Sequence, residues 1–114
     1  MFSLEQLANE HHNAHRPTAD QPWRVDAEGY VRAVAPQSSL DWHRPSITMR
    51  FAALAANMSG ASGAADTLSF YLLKKTRDRM LHGTQSEAPD GATTQVARDL
   101  ALRYNKLFTL AAAP

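Results

Sequence analysis

Between residues 46 and 110, apolar side chains recur every three or four positions in three successive stretches, and that period commits this part of the chain to helix. The first stretch carries Ile47, Phe51, Leu54, Ala55 and Met58, and Pro45 with Ser46 suits a helix start. The second, residues 67–82, carries Leu68, Tyr71, Leu72, Leu73, Met80 and Leu81. It follows Asp66, whose side-chain oxygen can act as the N-cap. The third, over residues 93–110, sets Val96, Leu100, Tyr104, Leu107 and Phe108 in one stripe, with Arg98, Asp99, Arg103 and Lys106 mostly off it. Residues 59–65, SGASGAA, are small and flexible and join the first two helices as an antiparallel pair. The polar segment TQSEAPDGA after Gly83 reads as a loop, and the last helix is expected to pack on the one before it.

The N-terminal part reads differently. Phe2, Leu4, Leu7, Ala8 and His11 fit a short amphipathic helix over residues 2–15, with Ser3 as its cap. His11 and His15 stand four positions apart on one face, a spacing able to ligate Zn²⁺ or Ni²⁺. A site needs three or four ligands, so these residues and His12 read as exposed side chains closing the helix, and no metal is expected. Residues 16–22, RPTADQP, are a linker. In WRVDAEGYVRAV, Trp23 and Val25 and then Tyr30, Arg32 and Val34 flank a tetrapeptide ending in Gly29, which predicts a β-hairpin over residues 23–34. Trp42, in the turn-rich residues 36–46, is expected to plug that hairpin onto the helices. The expected fold class is mainly α: a small antiparallel helical bundle with an N-terminal β-hairpin, residues 1–45 extending a helical core of residues 46–110.

At 114 residues the chain fits one domain with a modest core, and the absence of cysteine excludes disulfides and thiolate metal sites. No apolar run nears the roughly 20 residues that span a bilayer, and the N-terminus has neither a basic start nor an apolar signal core, so a soluble cytoplasmic protein is expected. The net charge of +1, from 12 Lys and Arg against 11 Asp and Glu, argues against nucleic-acid binding over the whole surface. The charge is uneven, however: Lys74, Lys75, Arg77 and Arg79 face only Asp78 within one helical stretch. Such a strip also complements a helix macrodipole, so by itself it does not decide for a ligand.

Within KKTRDRMLHG, Asp78 and His82 are four apart and nearly superposed on one helix face, so the carboxylate can orient the imidazole from one turn below. Arg77 lies about 140° round from His82 on an ideal helix. Gly83, a usual helix stop, would unwind the last turn and let Arg77 and His82 converge. Arg77, Asp78, three residues, His82 and Gly83 form a pattern that resembles the signature of the HEPN superfamily, small helical domains many of which are ribonucleases. The wording RDRMLHG is most similar to the Apea-like branch, and the resemblance covers roughly residues 46–110.

The resemblance implies that two protomers bring two motifs into one cleft and cleave RNA without metal or other cofactor. His82, with an ordinary pKa of about 6.5, would exchange a proton with the 2′-hydroxyl or the leaving 5′-oxygen. Arg77 would hold the scissile phosphate through its planar fork, and Asp78 would orient the imidazole. Lys74, Lys75 and Arg79 would attract the RNA backbone. The implied protein is a homodimeric endoribonuclease, a toxin or defence component with an antitoxin or larger assembly as partner. The alternative is a non-catalytic module for dimerisation or docking.

Overall fold

The structure, a computed structural model, describes residues 2–16, 18–81 and 91–112. Its elements are α1 (Leu4–Ala14), α2 (Arg24–Val34), α3 (Ile47–Met58), a 3₁₀ turn (Gly60–Ser62), α4 (Gly63–Leu81) and α5 (Gly91–Ala112). None of these helices is long and apolar enough to cross a membrane.

Local chemistry sets the first helix start. Ser3 Oγ accepts the Gln6 N–H at 3.1 Å while Gln6 Oε1 accepts the Ser3 N–H at 2.8 Å, a reciprocal capping box as α1 begins. Asn105 then pins this end to α5, its amide bonding the Phe2 N–H at 2.9 Å and the Phe2 carbonyl at 2.7 Å. Leu7, Ala8 and His11 line the buried face of α1, as the spacing of four predicts.

The predicted β-hairpin is absent: residues 24–34 form α2, and the described residues contain no strand. Trp23, Ala27 and Val31 recur at four-residue intervals and are buried together against Met49, Ala52 and Ala53 of α3. Read as alternating strand positions, the same residues would have sent Val25 inward, yet Val25 is 76 % exposed. Gly29, taken as a turn residue, sits on the open side of the helix with nothing near its missing Cβ. Trp42 packs against this α2–α3 cluster rather than onto a hairpin, and its indole Nε1 donates to Glu28 Oε1 at 2.8 Å.

Around α3 the other helices assemble. Ser46 caps it through Oγ to the Met49 N–H at 3.2 Å, and residues 48, 49 and 51–55 are all buried. Small Ala52 and Ala53 admit α2, while Phe51, Leu54 and Ala55 face Leu7, Phe70, Leu100 and Tyr104 from α1, α4 and α5. Phe51 stacks on Phe70 with centroids 4.3 Å apart and meets Tyr104 edge-on at 5.2 Å. Two glycines make the α3–α4 corner possible. Gly60 takes φ +59°, the left-handed conformation that side chains resist, and a Cβ on Gly63 would lie 2.7 Å from the Tyr30 ring. The motif helix α4 therefore starts at Gly63, not at Asp66; Asp66 lies in its first turn, buried, with a different task.

Candidate functional site

The last two turns of α4 carry Lys74, Lys75, Arg77, Asp78 and Arg79. His82 and Gly83, and the loop expected after them, lie outside the described residues. Arg77 follows Phe70 down the inner side of α4 and ion-pairs through Nη1 with Glu5 in the first turn of α1. Lys74 Nζ donates to Asp78 Oδ2 at 3.0 Å, and Arg77 Nη2 stands 4.0 Å from Asp78 Oδ1. Lys74, Arg77, Asp78 and Glu5 are thus one surface network of alternating charge.

Glu5, Lys74 and Arg77 of that network rim an open groove of about 260 Å³ between α1, α4 and α5, floored by Leu4, Phe70, Leu73, Ala97 and Ala101. Arg77 is half exposed at its edge, 49 % by side chain. Lys75 and Arg79 point to the opposite side of α4, where Lys75 lies over the Tyr71 ring at 5.2 Å. The basic strip legible in the sequence is therefore divided: Lys74 and Arg77 belong to the groove, Lys75 and Arg79 to the outer face. Leu68 and Leu72 share that outer face and are exposed, as is Val96 of α5 beside them.

Two polar sites were not anticipated. Asp66, buried at the start of α4, accepts hydrogen bonds from Ser59 Oγ at 3.0 Å, Ser62 Oγ at 3.1 Å, Arg103 Nη1 at 2.8 Å and Tyr104 Oη at 2.5 Å, with a further contact to Arg103 Nη2. Burial pushes this carboxyl up, but the donors from Arg103, Tyr104, Ser59 and Ser62 outweigh it and hold the pKa below the ordinary value. Burial and the bond to Asp66 push the Tyr104 phenol up, so it stays a donor. The cluster is saturated by its own partners and clasps α5 to the α3–α4 corner. Ser59, Ser62 and Asp66 at helical spacing were visible in the sequence, but their partners come from 37 and 38 positions further on.

The second is His11, which is fully buried rather than an exposed helix end. Its Nε2 meets the Asn57 Nδ2 amide at 2.9 Å, its ring stacks on His15 with centroids 4.7 Å apart, and Trp23 meets it edge-on at 5.4 Å. An amide N–H can only donate, so Nε2 accepts and the proton sits on Nδ1. Burial, then the neighbouring His15 and His12, lower the His11 pKa to about 4, so the ring is neutral near pH 7. Among the described residues no three His, Asp or Glu side chains converge as a metal site.

Known proteins give no further guide. The chain matches no family model, no curated protein and no solved structure.

Proposed function

We propose that this chain is a HEPN-type, metal-independent endoribonuclease that acts on RNA in the cytoplasm as a homodimer, in the role of a toxin or defence component. The observation that carries this reading is the setting of Arg77. It is half exposed on the rim of a groove, beside Lys74 and Asp78, and its counter-ion is a surface carboxylate from another helix. An exposed pair of this kind contributes about 0–1 kcal/mol. A charge-assisted hydrogen bond to phosphate contributes about 1.5–3 kcal/mol, so RNA can displace Glu5 from Arg77 at a net gain.

In this reading Arg77 takes the scissile phosphate and the charge that builds on it, and His82 moves the proton between the 2′-hydroxyl and the 5′-oxygen. Asp78 orients the imidazole, Lys74 supplies attraction for the RNA backbone at the groove, and Lys75 and Arg79 supply it on the outer face of α4, where the second copy docks. One motif has one imidazole, whereas attack and departure each need a proton transfer, so a second copy completes the site. The exposed Leu68, Leu72 and Val96 supply apolar surface for that copy. The same three side chains also favour the second reading, a non-catalytic dimerisation or docking module.

Purified protein incubated with single-stranded RNA in EDTA separates the two. Expected are fragments with 2′,3′-cyclic phosphate ends, a loss of about 10²–10⁴-fold in His82→Ala, and loss of both cleavage and RNA affinity in Arg77→Ala. Glu5→Gln should bind RNA more tightly, because the competing carboxylate is gone. Wild type that sediments as a dimer and leaves RNA intact establishes the docking module instead.

A further inference from the structure

A second cavity, of about 400 Å³, opens where the end of α1, Arg16 and Thr18, the start of α2 and the turn at residues 40–43 meet. Its wall brings together His12, Arg16, Arg24, Asp41, Trp42 and His43. Asp41 is the one carboxylate in that wall, and its Oδ1 already accepts the His43 backbone N–H at 3.0 Å. Of the wall's two guanidinium groups, Arg24 is paired with Glu28. Arg16 has no such partner among the described residues. Arg50, whose Nη1 is bonded only to the neutral amide of Asn9 at 2.7 Å, stands close enough to His12 to repel its proton. Burial, then Arg50, then Arg16 lower the His12 pKa.

The wall is also held in place. Glu28 Oε1 takes the Trp42 indole N–H at 2.8 Å and the Arg24 Nε–H at 3.1 Å, so one carboxylate orients both an aromatic plate and a guanidinium. The bond uses Arg24 Nε and leaves the terminal fork for another acceptor. Two guanidinium forks and two imidazoles converging on one space match a phosphate better than a carboxylate, because a phosphate offers more acceptor oxygens and more charge. Inorganic phosphate would leave the Trp42 wall uncovered. The cavity is also of the size, roughly 300–1,000 Å³, that takes a whole small molecule.

We infer that this cavity binds a nucleoside monophosphate, free or as the phosphorylated 5′ end of an RNA, with the phosphate on Arg16, Arg24 and His43 and the base against Trp42. The site is separate from the Arg77 groove in its residues and does not depend on ribonuclease activity.

Calorimetry of the full chain tests it with AMP, UMP, adenosine and inorganic phosphate, and with 5′-phosphorylated and 5′-hydroxyl RNA pentamers added to His82→Ala protein so that cleavage does not intrude. The monophosphates should bind at least about tenfold more tightly than adenosine or phosphate alone. Arg16→Ala and Arg24→Ala should each weaken them about 10- to 100-fold, the range for a lost bond to a charged group. Arg16 is exposed, so its removal leaves the fold intact, which circular dichroism checks. Preference for the 5′-phosphorylated over the 5′-hydroxyl pentamer assigns the site to RNA ends, and binding of AMP or UMP without that preference assigns it to free nucleotides. The inference is overturned by absence of monophosphate binding at millimolar concentration, by phosphate binding as tightly as AMP, or by Arg16→Ala binding like wild type.

Discussion

Replacing Asp66 with Ala removes the acceptor on which four side chains converge, and the structure indicates how much each loses. Tyr104 is completely buried and its hydroxyl points at Asp66 from 2.5 Å, so in the variant it loses its charged acceptor and keeps only the neighbouring Ser59 hydroxyl. A hydrogen bond to a charged group contributes about 1.5–3 kcal/mol. Arg103 is 43 % exposed by side chain and can turn to water, so its share is that of a partly solvated pair, about 1 kcal/mol or less. Ser59 and Ser62 are only partly buried and can bond each other or solvent. The sum is about 2–4 kcal/mol, which for a domain of this size lowers Tm by roughly 8–16 °C. Urea and thermal unfolding of Asp66→Ala, Tyr104→Phe and the double variant measure this directly. Because Asp66→Ala and Tyr104→Phe remove the same bond, the double variant should be less destabilised than the sum of the singles by about 1 kcal/mol or more. A loss under about 1 kcal/mol in Asp66→Ala, or additive single variants, would refute the view that this carboxylate clasps α5. Acid should act the same way. The folded pKa is depressed, so the stabilisation is complete above the ordinary carboxyl value of 3.8 and is lost as pH falls through the lower folded value.

His11 supplies a separate acid sensitivity at higher pH. Its pKa is near 4 in the folded protein against 6.5 unfolded, so the unfolded chain binds the extra proton and stability should decline as pH drops from 6.5 towards 4. His11→Leu should flatten that slope in urea titrations at pH 7, 6 and 5, and an unchanged slope would show that the ring is not the titrating group. Gly63→Ala places a methyl group 2.7 Å from the Tyr30 ring and should cost about 1–3 kcal/mol by overpacking. Adding Tyr30→Ala should make the Gly63→Ala change nearly neutral in denaturant melts, and failure to do so would remove the contact as its cause.

Those parts of the fold that depend on neighbours in the chain were legible in the sequence. Ser3 and Ser46 cap α1 and α3 through bonds to residues three positions on, and the apolar period of α3, and of α5 from Leu100 onward, marks which side turns inward. The breaks between α1 and α2 and between α3 and α4 follow from proline and small residues in the same local way. On α4, Lys74 and Asp78 meet one turn apart, as helical spacing allows.

What distance in the chain conceals is what the sequence could not yield. The segment from Trp23 to Val34 has turn residues at its centre and β-branched residues around them. Whether Trp23, Ala27 and Val31 form a stripe depends on the small-residue face of α3 that buries them. Asp66 looked like a cap because caps are local, yet its partners Arg103 and Tyr104 arrive on the last helix. His11 looked exposed because nothing near it in the chain reveals Asn57 and Trp23 closing over it. Periodicity and capping are short-range and can be read from a string of letters. Burial, and with it the charge state of a buried group, is created only when surfaces far apart in the chain exclude water together.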